Sequence, residues 1–90
     1  MRSVFEPIRV ETDGKGTPAR LCWNGRILIV SRVIDHWRYV GKWWLFPTGQ
    51  RRTYYRLEAR ALLERQQLAE PRIVEVFQQD GQWTISYFCD

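Results

Sequence analysis

The amino-acid sequence predicts a mainly β fold: a small antiparallel sandwich or barrel of about six to seven strands, with one short helix near residues 58–70. The chain has 90 residues, enough for one hydrophobic core, so we expect a single β-rich domain over residues 1–90. Asn24-Gly25 and Asp80-Gly81 each stand between runs of β-branched and aromatic residues, and such dipeptides favour tight hairpin turns. We therefore expect a fold built largely from hairpins.

Three strand-like segments occupy the first third of the chain. Residues 8–12 alternate between apolar and polar side chains and lead into a polar turn, residues 13–18, that contains two glycines. Asn24-Gly25 then joins residues 21–23 to residues 26–30. Both central positions of a type I′ turn need positive φ, which Asn and Gly tolerate. We therefore expect the first strand to pair with the second, and the second with the third.

The middle of the chain predicts two further strands and the helix. Residues 33–40 and 53–57 are rich in β-branched and aromatic side chains, and Gly41 is expected to bend the chain between them. Residues 58–70 hold strong helix formers and no β-branched residue, and Pro71 supplies a stop. The apolar positions of this segment form only a partial stripe: Ala59, Leu62, Leu63 and Ala69. The helix is therefore expected at an edge of the sheet. Beyond it, Asp80-Gly81 predicts a C-terminal hairpin of residues 72–77 and 83–88.

Composition indicates a folded domain and leaves its partners open. Apolar residues make up 44% of the chain, which excludes a disordered or low-complexity protein. Lys and Arg number 14 against 10 Asp and Glu, so the net charge is +4. This mild excess permits an acidic partner without requiring one.

The cellular compartment is predicted from the lack of a membrane-spanning run and of a signal-peptide pattern in the sequence. Its longest apolar run, residues 27–30, is too short to cross a bilayer, and the N-terminus has no signal-peptide pattern. We therefore expect a cytoplasmic protein with no membrane association. Cys22 and Cys89 form no CxxC pair and are expected to be buried free thiols rather than a disulfide.

No catalytic residue, metal ligand or cofactor is expected. His36 is the one histidine, and its neighbour Asp35 would point to the opposite face of a strand, so it could not easily orient the imidazole as a base. A surface histidine is the simpler interpretation. The carboxylates are scattered singly, and Asp13-Gly14-Lys15-Gly16 precedes a strand rather than the helix of a phosphate loop. The prediction is a protein that is not an enzyme.

Arginine among aromatic residues is the feature that points to binding. The chain has 5 Trp and 4 Tyr, and its arginines and aromatics are concentrated in residues 32–44 and 51–56. Arginine grips phosphate with a planar fork, and aromatic rings give bases a stacking platform. By alternation, Tyr55 and Leu57 should face inward, and Tyr54 and Arg56 outward. The candidate nucleic-acid or partner-binding residues are Arg38, Lys42, Trp44, Arg51, Arg52, Tyr54 and Arg56.

These residues leave two functions open. The first is a noncatalytic module that binds single-stranded or distorted nucleic acid. The second is a protein-docking module, because Trp, Tyr and Arg also dominate protein hot spots. A third interpretation needs no function at all: a GC-rich genome would favour arginine codons, and a small β domain fills its core with aromatic residues.

The order of short segments along the chain carries a further signal. The segments are Pro7-Ile8-Arg9-Val10, Gly16-Thr17-Pro18-Ala19-Arg20, Trp23-Asn24-Gly25-Arg26, Val33-Ile34-Asp35-His36-Trp37-Arg38, Trp43-Trp44, Arg52-Thr53-Tyr54-Tyr55-Arg56-Leu57, Val74-Glu75-Val76-Phe77, Gly81-Gln82-Trp83 and the terminal Asp90. This order resembles that of a family of short, functionally uncharacterised bacterial domains, which stand alone or resemble the C-terminal tail of some inactive Y-family polymerase-like proteins that act with an error-prone replicative polymerase in damage-induced mutagenesis. Residues 59–72 depart from the pattern, since the family has a shorter, glycine-containing turn there. The resemblance implies a bacterial, cytoplasmic protein in DNA damage tolerance, with a polymerase-like partner, and carries no catalytic residues.

Overall fold

The chain folds into a closed antiparallel β-barrel, seen in a computed structural model that describes residues 2–40 and 51–89. Each strand pairs with the next along the chain, and the first strand also pairs with the last. The six strands are β1 (Arg2–Thr12), β2 (Pro18–Trp23), β3 (Arg26–Val40), β4 (Arg51–Ala61), β5 (Arg72–Gln79) and β6 (Gln82–Cys89). The predicted mainly β antiparallel fold is confirmed, and the barrel is the form it takes.

The two tight turns form as their residues predict. Asn24 and Gly25, between β2 and β3, have φ values of 54° and 74°. Asp80 and Gly81, between β5 and β6, have φ values of 52° and 77°. Positive φ at both central positions is the geometry of a type I′ turn, whose twist matches that of the flanking strands. Both predicted hairpins are therefore confirmed.

β1 closes the barrel because its two halves pair with different neighbours. Residues 2–8 pair with β6, and residues 9–12 pair with β2. Phe5 has a φ of 51° and lies where the register between β1 and β6 shifts. An irregularity of this kind bends a strand, which allows β1 to pass from one neighbour to the other.

The core fills the inside of the barrel with aliphatic side chains from five strands. Trp23 and Trp83, next to the two tight turns, are partly buried and pack against this core. Tyr55 also packs against it, and Arg56 is exposed, so the inward and outward alternation predicted for β4 is confirmed there. The fully or almost fully buried members are Leu21, Leu28, Leu57, Ala59, Val74, Val76 and Ile85.

The predicted helix near residues 58–70 is wrong. β4 continues through residues 58–61, and the helical content of the described residues is one short 3₁₀ turn, Glu64–Gln66. Ala59 is 1% exposed and is paired on both sides, with β3 and with β5. The barrel therefore determines the conformation of this segment, and packing overrides a helix propensity that had only a partial apolar stripe behind it.

β3 extends beyond the end of its neighbour β2 because it is much longer, while β4 stays paired with β5 as far as Thr53. β3 has 15 residues and β2 has 6. Beyond Ile29, the pairing of β3 in the described residues is with β4 alone. We call residues 35–40 and 51–56 the β3–β4 ribbon. The bend predicted at Gly41, and the paired Trp43 and Trp44 beyond it, lie outside the described residues.

Two further sequence predictions concern the thiols and the membrane. Cys22 and Cys89 are free, as expected, although both are half-buried rather than buried. In the part of the chain that the structure describes, helices of the length and apolar character needed to span a membrane are absent.

Candidate nucleic-acid interface

The β3–β4 ribbon separates the sequence-predicted binding residues onto two faces. Trp37 lies opposite Tyr54, and Arg38 lies opposite Thr53. Since side chains alternate along a strand, Arg52, Tyr54 and Arg56 lie on the outer face, with Trp37 and Tyr39. Arg38 and Arg51 lie on the opposite face. Lys42 and Trp44 lie outside the described residues.

A row of aromatic rings crosses the outer face. The rings of Trp37 and Tyr54 are parallel, with 5.3 Å between centroids and 2° between planes. The ring of Tyr54 is also 5.1 Å from that of Phe77 on β5, at an angle of 43°. Phe77 is 5% exposed although it lies outside the barrel. The rings therefore cover one another and act as a small second core, which leaves Tyr54 without an open face for a base.

The two outer-face arginines already have partners within the protein. Arg52 Nε donates to Gln79 Oε1 at 2.9 Å, and the Arg52 guanidinium lies 4.4 Å from the centroid of Phe77. Arg56 lies 5.5 Å from the centroid of Trp37 and forms a salt bridge of 3.6 Å with Glu75 Oε1. Cation–π contacts and hydrogen bonds of this kind hold the ring row in place. We call Trp37, Arg52, Tyr54, Arg56 and Phe77 the outer patch.

The nearly buried carboxylate of Glu75 stabilises the outer patch through Arg56. Glu75 is 9% exposed and Ser86 is 1% exposed. Ser86 Oγ donates to Glu75 Oε2 at 2.8 Å, and the salt bridge from Arg56 reaches the other carboxylate oxygen. A charge removed from water needs such partners, because an unpaired buried carboxylate is costly. Arg56 is thus part of a structural network.

The opposite face of the ribbon forms a groove with the turn between β1 and β2. Its volume is about 700 Å³, and it holds two cationic side chains, Lys15 from the turn and Arg38 from β3. Arg51 continues the same face, one position beyond Thr53 in the alternation of β4. We call this surface the basic groove. It is lined by Lys15, Thr17, Val33, His36, Arg38, Thr53 and Tyr55, and it is also bordered by Trp37, whose ring stacks on Tyr54 in the outer patch.

His36 contributes a ring to the basic groove. Its imidazole stacks on Tyr55, with 6.1 Å between centroids and 21° between planes. Asp35 Oδ1 accepts a hydrogen bond of 2.8 Å from the backbone N–H of His36. This bond joins the Asp35 carboxylate to the backbone of His36 and not to its imidazole. Among the described residues, clusters of three or more His, Cys, Asp or Glu that could hold a metal are absent.

The cations of the basic groove differ from four of the other arginines in their electrostatic surroundings. Salt bridges connect Arg20, Arg32, Arg56 and Arg72 to glutamates. Within the described part of the chain, no such bridge is formed by Lys15, Arg38 or Arg51. Their charge is therefore available to an external anion.

The carboxylate nearest to Lys15 in sequence is engaged by the backbone. Asp13 Oδ1 accepts hydrogen bonds from the N–H groups of Lys15 and Thr17, at 2.8 Å and 3.0 Å. These donors, and to a smaller extent the charge of Lys15, hold the pKa of Asp13 below its ordinary value. The carboxylate stabilises the turn and so fixes the backbone position of Lys15 at the edge of the groove.

Lys15 and His36 were not among the residues predicted from the sequence. Lys15 lies in a segment that the sequence explains fully as a turn, and only the pairing of β1, β2 and β3 brings it to the ribbon. The alternation of β3 did carry a signal for His36, since it puts His36 and Arg38 on one face.

Comparison with known proteins identifies a family and no relative of known function. No curated protein and no solved structure matches the chain. A family described as a domain of unknown function, DUF6504, matches residues 1–90. Because the match covers the whole sequence, the protein belongs to the DUF6504 family.

Proposed function

We propose that this protein is a noncatalytic module that binds single-stranded or distorted nucleic acid in its basic groove. The observation that carries the proposal is a set of three cations without a salt bridge in the described residues: Lys15 and Arg38 line the groove, and Arg51 lies on the same face of β4 as the groove residue Thr53. Phosphate is the ligand that such a set suits best, since arginine and lysine neutralise successive phosphates along a strand.

The geometry of the ribbon favours an anion between its two free arginines. Arg38 and Arg51 are diagonal neighbours on one face, because Arg38 lies opposite Thr53 and Arg51 lies opposite Val40. Like charges at this spacing repel each other unless an anion lies between them. A bound phosphate would relieve that repulsion, whereas the outer-face arginines gain nothing comparable because they already have partners.

Rings at the floor of the groove suit the bases of such a strand. His36 is exposed, stacks on Tyr55 through one face of its ring, and lines the groove beside Arg38. Base stacking on an aromatic side chain is worth about 1–3 kcal/mol per base and is tolerant of sequence. We therefore expect weak binding, at micromolar strength or poorer, with little sequence preference.

The biological setting is part of the proposal and rests on resemblance. The sequence resembles the C-terminal tail of some Y-family polymerase-like proteins, and this suggests a role in DNA damage tolerance in the bacterial cytoplasm. A module that holds single-stranded DNA beside a polymerase-like partner would fit that role.

Two adjacent arginines provide a matched test of the proposed function. A fluorescent single-stranded oligonucleotide is titrated at two salt concentrations against the unmodified protein, Arg51→Gln and Arg52→Gln. Both substitutions remove one charge, but they act on opposite faces of β4. We expect Arg51→Gln to weaken binding and to reduce the slope of log affinity against log salt by about 0.7, the value for one phosphate contact on a single strand. Arg52→Gln should leave that slope unchanged.

Circular dichroism and thermal melts establish that both variants are folded. Absence of binding by the unmodified protein at low salt would refute the proposal. So would an equal loss of slope in the two folded variants, because charge alone would then explain the binding.

A second candidate function, protein docking, is favoured by the exposed residues that flank the outer patch. Tyr39 is 49% exposed beside Arg52, and Phe5 is 57% exposed with its ring 6.4 Å from that of Phe77. Aromatic residues ringed by arginine are typical of protein hot spots. The partner would be a polymerase-like protein of the same repair or replication assembly.

Docking through the outer patch is tested by a pull-down from bacterial lysate after DNA damage, with nuclease present. We expect a polymerase-like protein to be retained by the unmodified protein and by Arg38→Gln, and to be lost with Tyr39→Ala, since truncation of a hot-spot aromatic costs about 2 kcal/mol or more. Retention that disappears with nuclease alone would contradict docking and support the basic groove.

A further inference from the structure

A second pocket lies at the far end of the barrel from the ribbon. It has a volume of about 200 Å³ and shares no lining residue with the basic groove. It is bounded by the turn between β2 and β3 and by the segment 62–70. Its apolar lining includes Trp23, Leu28, Ala59, Ala61, Val74 and Phe88. We call it the end pocket.

Segment 62–70 covers the end pocket, and we call this segment the roof. Leu62 donates its backbone N–H to the Ile27 carbonyl at 2.8 Å, and Ala69 donates to the Ala61 carbonyl at 2.8 Å. These bonds fix both ends of the segment across the barrel end. Since Ala61 and Ala69 have small side chains, the roof is positioned without filling the space beneath it.

The size and lining of the end pocket suit one ring or a short hydrocarbon chain. A buried apolar cavity of about 150 Å³ is large enough to bind benzene. Trp23 and Phe88 contribute two tilted rings, 5.3 Å apart between centroids and at 47°, to the wall. Aromatic walls of this kind favour an aromatic or branched apolar group in tilted contact.

The mouth of the end pocket carries a net positive charge. Arg72 lies 3.7 Å from Glu70, so that pair is internally neutralised. Arg26 is exposed and makes no salt bridge within the described residues. A guanidinium fork binds a carboxylate through two parallel hydrogen bonds.

We propose that the end pocket binds a small monocarboxylic acid, with a single ring or a short apolar chain in the pocket and its carboxylate on Arg26. This site is independent of the proposed nucleic-acid binding, because it lies at the opposite end of β4 from the basic groove. A ligand here would contact all the strands from β2 to β6 and the roof segment.

The proposal is tested by NMR titration of the full chain with 3-phenylpropanoate and with its neutral amide. We expect saturable shifts of the Trp23 indole N–H and of the Ala61 and Ala69 amides. The carboxylate should bind about tenfold more tightly than the amide, the effect of one charge-assisted pair. Arg26→Gln should remove that difference.

A substitution that fills the pocket is compared with the same substitution at an exposed position away from it. Ala61→Leu should abolish binding of both probes, and Ala19→Leu, at an exposed position of β2, should not. If Ala61→Leu does not fold, Ala69→Leu on the roof makes the same test. Absence of saturable shifts at millimolar probe, shifts confined to the basic groove, or unchanged binding by a folded pocket-filling variant would each overturn the proposal.

Discussion

Replacement of Leu57 by alanine is expected to lower the free energy of unfolding by about 3 kcal/mol, within the range of roughly 2–5 kcal/mol for buried leucines. Leu57 is 0% exposed and lies opposite Val33 on β3 and Val74 on β5. Its loss would leave a cavity between three strands at the base of the ribbon. Small domains have total stabilities of about 5–15 kcal/mol, so the variant should lose a large part of its stability.

Urea denaturation followed by tryptophan fluorescence measures this loss. Leu68→Ala is the matched control, because it removes the same atoms from a side chain that is 46% exposed. We expect that variant to change stability by no more than about 0.5 kcal/mol. Similar losses in the two variants would contradict the assignment of the core.

Removal of Arg56 is the second substitution for which we expect a large effect, and the effect is on stability rather than on binding. Arg56→Ala leaves the Glu75 carboxylate, 9% exposed, with Ser86 as its remaining side-chain partner in the described residues. Removing one partner of an ion pair leaves the other charge poorly compensated, which costs about 1–3 kcal/mol for a buried group, and the 46% exposure of the Arg56 side chain keeps the expected loss near the lower end.

A double-mutant cycle with Glu75→Gln separates this interaction from packing. If the carboxylate is the cause, Arg56→Ala should cost distinctly less in the Glu75→Gln background. Unfolding free energies that add within about 0.5 kcal/mol would show that Arg56 and Glu75 are not coupled. Oligonucleotide affinity, measured on the same variants, should change little, since Arg56 lies away from the basic groove.

Local features of the fold could be predicted from the sequence, and features that depend on distant strands could not. Asn24-Gly25 and Asp80-Gly81 specify turns through their own backbone preferences, so both hairpins were predictable. The segment 58–61 has the propensities of a helix but forms strand, because β3 and β5 pair with it from either side. No property of that segment alone reveals those two partners.

In the candidate site, too, local features could be predicted from the sequence and contacts between distant strands could not. Alternation along β4 predicted that Tyr54 and Arg56 face outward, and it equally separates Arg51 from Arg52. The sequence could not show that Arg52 and Arg56 have partners on β5, Gln79 and Glu75. Nor could it bring Lys15 to the ribbon, since that requires the arrangement of three strands.

Closure of the barrel by β1 and β6 has a kinetic consequence. Among the strands of residues 2–40 and 51–89, five pairings join consecutive strands, and the pairing of β1 with β6 joins the first strand to the last. Hairpin contacts close short loops, whereas this pairing closes a loop of nearly the whole chain, and loop-closure entropy grows with length. Topologies rich in such distant contacts fold slowly. The search for the β1–β6 register is therefore the entropically most expensive encounter between strands during folding.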